Sequence, residues 1–140
     1  MTITEKHKKI LRAELCPYCD SSTETTTETE IYGREYKGRS IIKCTNYPNC
    51  DAYVGTHEDG EPLGRLADKE LRNAKRNAHD SFDRIWKEKL VNRSALYKQL
   101  SEHLNIPAQY THIGMFSKKT CLRVDSWAKQ KYNSIKNQSS

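Results

Sequence analysis

Apolar residues follow two different patterns along this chain. In the second half they recur at helical spacing. Leu71, Ala74, Ala78, Phe82 and Ile85 follow one another at intervals of three and four, with Trp86 beside the last. That period predicts an amphipathic helix over residues 68–90, with Asp68 as its N-cap and Glu70 in the first turn, where the helix dipole favours negative charge. Leu96, Leu100 and Leu104 predict a second helix over residues 93–104, capped by Asn92 or Ser94. Asn105 suits the residue after its end, and Pro107 stops it from continuing. Residues 110–116 read as a compact connector. Ser117 then caps a third helix reaching about Tyr132, with Cys121, Val124 and Trp127 inward.

The first half has no such stripe. Residues 4–14 predict a short helix with Thr4 as N-cap and Ile10 and Leu11 on its inner side. Residues 23–32 alternate Thr and Glu, which favours an exposed, β-branched strand. Residues 33–38 make a hairpin tip, residues 39–44 return as a second strand, and residues 52–54 form a third. Residues 55–64 hold three of the six glycines and read as a linker. Ile31, Ile41, Ile42 and Val54 are almost the whole aliphatic supply of these strands. A sheet this poor in aliphatic residues needs another source of stability.

The cysteines offer one. Cys16-Pro17-Tyr18-Cys19 and Cys44-Thr45-Asn46-Tyr47-Pro48-Asn49-Cys50 are two short-spaced pairs, separated by 24 residues, enough for a hairpin. Zn²⁺ takes four ligands tetrahedrally, and two such knuckles supply four thiolates. Pro17, Asn46, Pro48 and Asn49 bring turn chemistry. Cys16, Cys19, Cys44 and Cys50 are therefore expected to hold one structural Zn²⁺ with no open coordination position. Two disulfides are the competing reading and require an oxidising compartment. Five cysteines is an odd number, which suits four ligands and one spare thiol, Cys121.

Charge adds a partner to this picture. Residues 1–64 carry eight Lys and Arg against eleven Asp and Glu, whereas residues 65–140 carry sixteen against seven. A basic excess of that kind attracts polyanions. Tyr32, Tyr36, Tyr47 and Tyr53 are interleaved with Arg34, Lys37, Arg39 and Lys43, and aromatic faces among cations suit unpaired bases and phosphates. The same tyrosines also suit the task of covering a thin zinc core. Lys69, Arg72 and Arg76 make a basic stripe on the first long helix. The candidate nucleic-acid-binding residues are thus Arg34, Tyr36, Lys37, Arg39, Lys43, Lys69, Arg72 and Arg76. A helix-turn-helix reader of duplex DNA is disfavoured, because Gln99 and Glu102 are the main polar side chains its second helix offers.

Other chemistry has weaker support. His57, His79 and His112, with Asp59 or Asp83, are the raw material of a nuclease, but no paired ligand motif such as His-Glu-x-x-His occurs. His112 with Cys121 would make only half of a second metal site. The reading is non-enzymatic. The segment Met1–His7 has no apolar core of a signal peptide, and no run approaches 18 apolar residues. A cytoplasmic location and no membrane partner are expected.

Two resemblances bear on this. Cys44-Thr45-Asn46-Tyr47-Pro48-Asn49-Cys50 resembles the second knuckle of the zinc ribbons at the C-terminal end of bacterial type I topoisomerases, which bind single-stranded DNA. More of the chain is similar to an uncharacterised zinc-finger-containing domain family of bacteria and their phages. That similarity rests on Cys16-Pro17-Tyr18-Cys19, on residues 50–57 and 62–68, on Ala78-His79, on Phe82-Asp83, on Ile85-Trp86-Lys87 and on residues 112–116. Lys119-Thr120-Cys121 keeps the cysteine of the last helix, while Asp20 stands where that pattern has Gly. The resemblance implies a zinc ribbon fused to a helical unit, in a phage or prophage setting.

The expected fold is α+β, a small zinc β-ribbon followed by a three-helix unit. Residues 1–64 form the ribbon module with its N-terminal helix, 65–132 the helical unit and 133–140 a flexible tail. The expected function is contact with single-stranded or structured nucleic acid. The alternative is a phage accessory protein that binds and redirects or inhibits a host protein.

Overall fold

The computed structural model of the protein describes residues 4–138. Residues 1–3, at the start of the leader, and residues 139–140, at the end of the expected tail, lie outside the described residues. The chain divides into two compact units, Met1–Glu70 and Leu71–Ser140.

The first unit opens with α1 (Glu5–Leu11), whose N-cap Thr4 accepts a hydrogen bond from the His7 amide at 3.1 Å, as its sequence predicts. Three strands follow, β1 (Thr23–Thr27), β2 (Ser40–Cys44) and β3 (Tyr53–Gly55), in an antiparallel sheet of order β1-β2-β3. Thr25 pairs with Ile42, and Ile42 with Val54. Ile41 and Ile42 point to opposite faces, as alternation requires. Ile42 packs, half-buried, on a cluster of Ala13, Cys16, Cys44, Ala52, Val54 and Leu66.

Two expectations for this unit are corrected. The strand read over residues 23–32 ends at Thr27, and Glu28–Tyr32 form a short helix, α2. Thr27 is extended and accepts from the Glu30 amide at 3.2 Å, an N-cap. Glu28 and Glu30 fill the first turn, and Gly33 ends the helix in the left-handed region, at φ 83°. The sequence therefore carries a cap, an acidic first turn and a glycine stop within seven residues. Residues 55–64, read as a linker, belong to the ribbon. Thr56 bridges Pro62, and the Leu63 amide donates to the Gly55 carbonyl at 3.0 Å. Tyr53 and Ala67 then exchange backbone bonds of 3.2 and 2.9 Å, so the segment returns along the free side of β3.

Glu28 is the exception to the exposed acidic character of this region: it is only 6% exposed. Its Oε1 accepts from the backbone amides of Tyr36, Lys37, Gly38 and Arg39 at 3.2, 3.0, 2.8 and 3.3 Å. Burial alone would push this carboxyl up, but the four N–H donors prevail and hold it below the ordinary carboxylate range. A buried charge is tolerated because four backbone amides hydrogen-bond its Oε1, and in return it fixes the loop between α2 and β2.

In the second unit the helices match their periodicity closely. They are α3 (Lys69–Lys87), α4 (Arg93–Leu104) and α5 (Lys118–Gln138), with single 3₁₀ turns at Ala108–Tyr110 and Ile113–Met115. Phe82, Ile85, Leu96, Leu100, Ile113, Cys121, Val124 and Ala128 are fully buried. Asn92 caps α4 through the Ser94 amide at 2.9 Å, and Asn105 ends it at φ 55°. The Ser117 hydroxyl accepts from the Thr120 amide at 3.4 Å at the start of α5. The expected tail is helical as far as Gln138. Tyr132 donates to Glu88 at 2.8 Å, and Lys136 lies 3.4 Å from the same carboxylate, which ties the last turns down. Asp83 accepts from the Trp86 indole at 2.9 Å and faces His79 at 3.6 Å. Trp127 is half-buried and stacks on His103, with ring centroids 5.6 Å apart.

Glu28 gives the first prediction. Glu28→Ala should accelerate tryptic cleavage after Arg34, Lys37 and Arg39 by at least tenfold at pH 7 while the helical unit stays resistant. Because the folded pKa is depressed, the contribution of Glu28 is complete above the ordinary value of 4.5 and is lost as pH falls through the lower folded value. The amide resonances of residues 36–39 should therefore move together below pH 4.5.

Candidate metal centre

The first knuckle follows α1 directly. The Cys16 amide donates to the Ser21 carbonyl at 2.9 Å, and the Asp20 amide donates to the Cys16 carbonyl at 3.1 Å, closing a tight loop around Pro17-Tyr18-Cys19. Asp20 completes the turn at φ 60°, in the left-handed region where glycine is most at ease. This is the position at which the family resemblance leads one to expect Gly. Asp is among the residues that tolerate it. The second knuckle leaves the end of β2. The Tyr47 amide donates to the Cys44 carbonyl at 3.0 Å, the Cys50 amide to the Asn46 carbonyl at 3.0 Å, and the Tyr47–Pro48 peptide is cis. The Thr45 amide reaches the Ser22 carbonyl at 3.1 Å and joins the knuckles.

This backbone brings the four predicted ligands together. All four Sγ atoms lie within 4.8 Å of one another, with Cys16 and Cys50 at 3.6 Å and Cys19 and Cys44 at 3.4 Å. Those distances are far beyond a covalent S–S bond of about 2.05 Å, and none of the five cysteines is in a disulfide. The disulfide reading fails. A tetrahedron with Zn–S bonds of about 2.3 Å has S···S edges of roughly 3.8 Å. The sulfurs therefore already stand near the corners that zinc requires. Cys16 and Cys44 are buried, Cys50 is half-buried and Cys19 is exposed.

Donors from outside the ligand set orient the sulfurs. The Asn46 amide points at Cys44 Sγ from 3.4 Å, and Asn46 Nδ2 reaches Cys19 Sγ at 3.5 Å and Ser21 Oγ at 2.8 Å. Such partners position and tune metal-bound thiolates. Without a metal, hydrogen bonds from Ser21, through side chain and backbone, and from Asn46 bring the Cys19 thiol down to about 6. Burial pushes Cys44 and Cys50 up. Asn46 is visible in the sequence as a turn former, but nothing local there announces its second role.

Other candidates sit elsewhere. Arg34, Tyr36 and Lys37 are exposed and Arg39 half-buried, all on the loop that Glu28 fixes. The Arg34 guanidinium lies 4.5 Å from the centroid of the Tyr36 ring. Tyr36, Tyr32, Tyr53 and Tyr47 form a continuous edge-to-face series, with centroids 5.6, 6.0 and 6.1 Å apart. Lys43 has a different place: its ammonium sits 2.7 Å from Glu30 and 3.5 Å from Glu24, with its side chain 12% exposed. The hydrogen bond to Glu30 raises its pKa. Lys69, Arg72 and Arg76 share one face of α3 by their spacing, Lys69 and Arg76 exposed and Arg72 half-buried. Glu28 was not among the candidates, and its Thr/Glu surroundings give no local sign of burial.

Among the described residues, the four cysteines are the one group of three or more His, Cys, Asp or Glu side chains placed to hold a metal ion. His112 is exposed and Cys121 buried, with no third ligand beside them to make a second such group among those residues. No helix among the described residues is long and apolar enough to cross a membrane.

Two substitutions test the centre. Cys44→Ser should abolish stoichiometric zinc in metal analysis and remove protease resistance from residues 12–67, while most of the helical far-UV signal of α3–α5 persists. Asp20→Gly should hold or slightly raise the zinc-loaded melting temperature. Asp20→Val, a β-branched residue in the left-handed region, should cost about 1–2 kcal/mol.

No curated protein and no solved structure matches the chain. A family model described as a zinc-finger-containing domain matches residues 12–131, from just before the first knuckle to near the end of α5. With the four clustered thiols this supports zinc binding, and the chain belongs to that family of zinc-finger-containing domains.

Proposed function

We propose that this protein is a non-enzymatic zinc-ribbon module that contacts single-stranded or structured nucleic acid, built around one structural Zn²⁺ held by Cys16, Cys19, Cys44 and Cys50. Four thiolates fill a tetrahedral shell, so the ion serves the fold and presents no open position for chemistry. The observation that carries the reading is the surface of the α2–β2 loop. There the exposed Tyr36 ring carries Arg34 against it, Lys37 and Arg39 flank it, and a buried carboxylate holds the backbone rigid. Aromatic faces beside cations, on a preorganised loop, are the means by which proteins hold unpaired bases and their phosphates. The basic excess of residues 65–140 adds a long-range attraction to the same polyanion. A bacterial cytoplasmic setting, phage or prophage encoded, is part of the proposal and rests on the resemblance of the motifs alone.

Fluorescence anisotropy of the zinc-loaded full chain with labelled single-stranded oligonucleotides tests this. At ~50 mM salt the affinity should be micromolar or tighter. If Arg34, Lys37 and Arg39 each neutralise one phosphate, the slope of log K against log salt is about −2, and affinity falls roughly 20-fold between 50 and 200 mM salt. Lys37→Ala should lower that slope by about 0.7. Absence of binding to any DNA or RNA at ~50 mM salt would overturn the proposal.

A further inference from the structure

A cavity of about 380 Å³ opens beside the same loop, lined by Glu28, Tyr32, Tyr36, Arg39, Ile41 and Leu63 among others. Its size falls in the range of sites that take small ligands, about 300–1,000 Å³. The lining has three parts with different chemistry. Tyr32 and Tyr36, 44% and 60% exposed, present aromatic faces, and Ile41 and Leu63 are aliphatic. Gly55 belongs to the aliphatic side, where a Cβ would stand 3.3 Å from Leu63 Cδ1, tighter than ordinary contact. Lys37 and Arg39 bring positive charge.

The third part is Glu28. All four of its backbone hydrogen bonds go to Oε1, and Oε2 takes none of them. A carboxylate with a depressed pKa is an acceptor only. A ligand that suits this cavity therefore has flat apolar faces, N–H donors along one edge and negative charge beside it. A peptide bearing Lys or Arg would satisfy the carboxylate but would meet Arg34, Lys37 and Arg39. A nucleobase in a single strand has all three properties.

We infer that this cavity receives one unpaired nucleobase of a single-stranded nucleic acid, and that Glu28 makes it select bases with an exocyclic amino group over uracil and thymine. The inference rests on the proposed nucleic-acid function and assigns it a site and a preference. Cytosine, adenine and guanine turn an amino donor towards an acceptor. Uracil and thymine present one N–H between two carbonyl oxygens, and those oxygens face the Glu28 charge. Tyr36 and Tyr32 supply the stacking surface, and Lys37 and Arg39 take the neighbouring phosphates.

Anisotropy of the zinc-loaded full chain with labelled dC, dA and dT decamers at ~50 mM salt is the experiment. The expected result is at least tenfold tighter binding of dC and dA than of dT. Tyr36→Ala, at an exposed position, should keep its zinc and its tryptic resistance. It should lose about tenfold in affinity for dC, in line with one lost base stack. Glu28→Gln keeps an acceptor for the loop amides, adds a donor, and should bring dT to within threefold of dC. Binding with equal affinity for all three decamers, or unchanged by Tyr36→Ala, would overturn this inference and leave the proposed function standing. No binding of any decamer by the unaltered chain would overturn both.

Discussion

The ribbon depends on bringing Cys16 and Cys50, 34 residues apart, to 3.6 Å with two more sulfurs beside them. The apolar cluster in this half is small. Around the cysteines are two alanines, one valine, one leucine and the half-buried Ile42. Small side chains let two knuckles approach closely, but they remove little apolar surface from water. In the proposed function a zinc ion held by four thiolates pulls the segments together through strong local bonds, and its binding free energy becomes folding free energy. That is why the strands can spend their outward positions on threonine and glutamate, and why β3 can be three residues long.

A second constraint works in the opposite way, by placing a charge inside. Glu28 is bound to four successive amides, so the loop from Tyr36 to Arg39 wraps around one oxygen. The N-terminal end of α2 positions the carboxylate, and Gly33 and Gly38, both at positive φ, let the chain turn back into β2. The tyrosine series runs from that loop across to the second knuckle at Tyr47. Lys43 is drawn into the sheet surface by Glu24 and Glu30, which leaves the loop cations as the accessible ones beside the aromatic faces. The cysteine cluster thus lies at one end of the sheet and a buried carboxylate at the other.

Whatever was legible in the sequence was local. The four ligands were readable because short spacings of thiols have few other uses, and the helices because Leu96, Leu100 and Leu104 or Leu71, Ala74, Ala78 and Phe82 repeat at a fixed period. The errors were non-local. Thr25 to Glu30 fits a strand equally well until Glu28 finds amides eight to eleven residues away. Residues 55–64 have the composition of a linker, and only their return along β3, through Tyr53 and Ala67, makes them part of the sheet. The last turns of α5 are polar and read as a tail, because Glu88, the partner of Tyr132 and Lys136, lies more than forty residues earlier. Asn46 was visible for its turn chemistry, but its role as donor to Cys19 needed the first knuckle in place.

The distribution of charge fits this division of labour. An excess of basic residues over 65–140 needs no fixed geometry to draw in a polyanion, because a net field acts over a Debye length of about 10 Å at 0.1 M salt. It carries no information about which base is present. Discrimination requires donors, acceptors and flat faces held at fixed separations, and the first unit contains these within a single loop and its supporting helix. In the proposed function, recruitment and selection are therefore separable properties of one chain. The first is as tolerant of sequence change as any solvated basic face. The second is as demanding as the hydrogen bonds of Glu28, since one carboxylate both shapes the loop and supplies the acceptor.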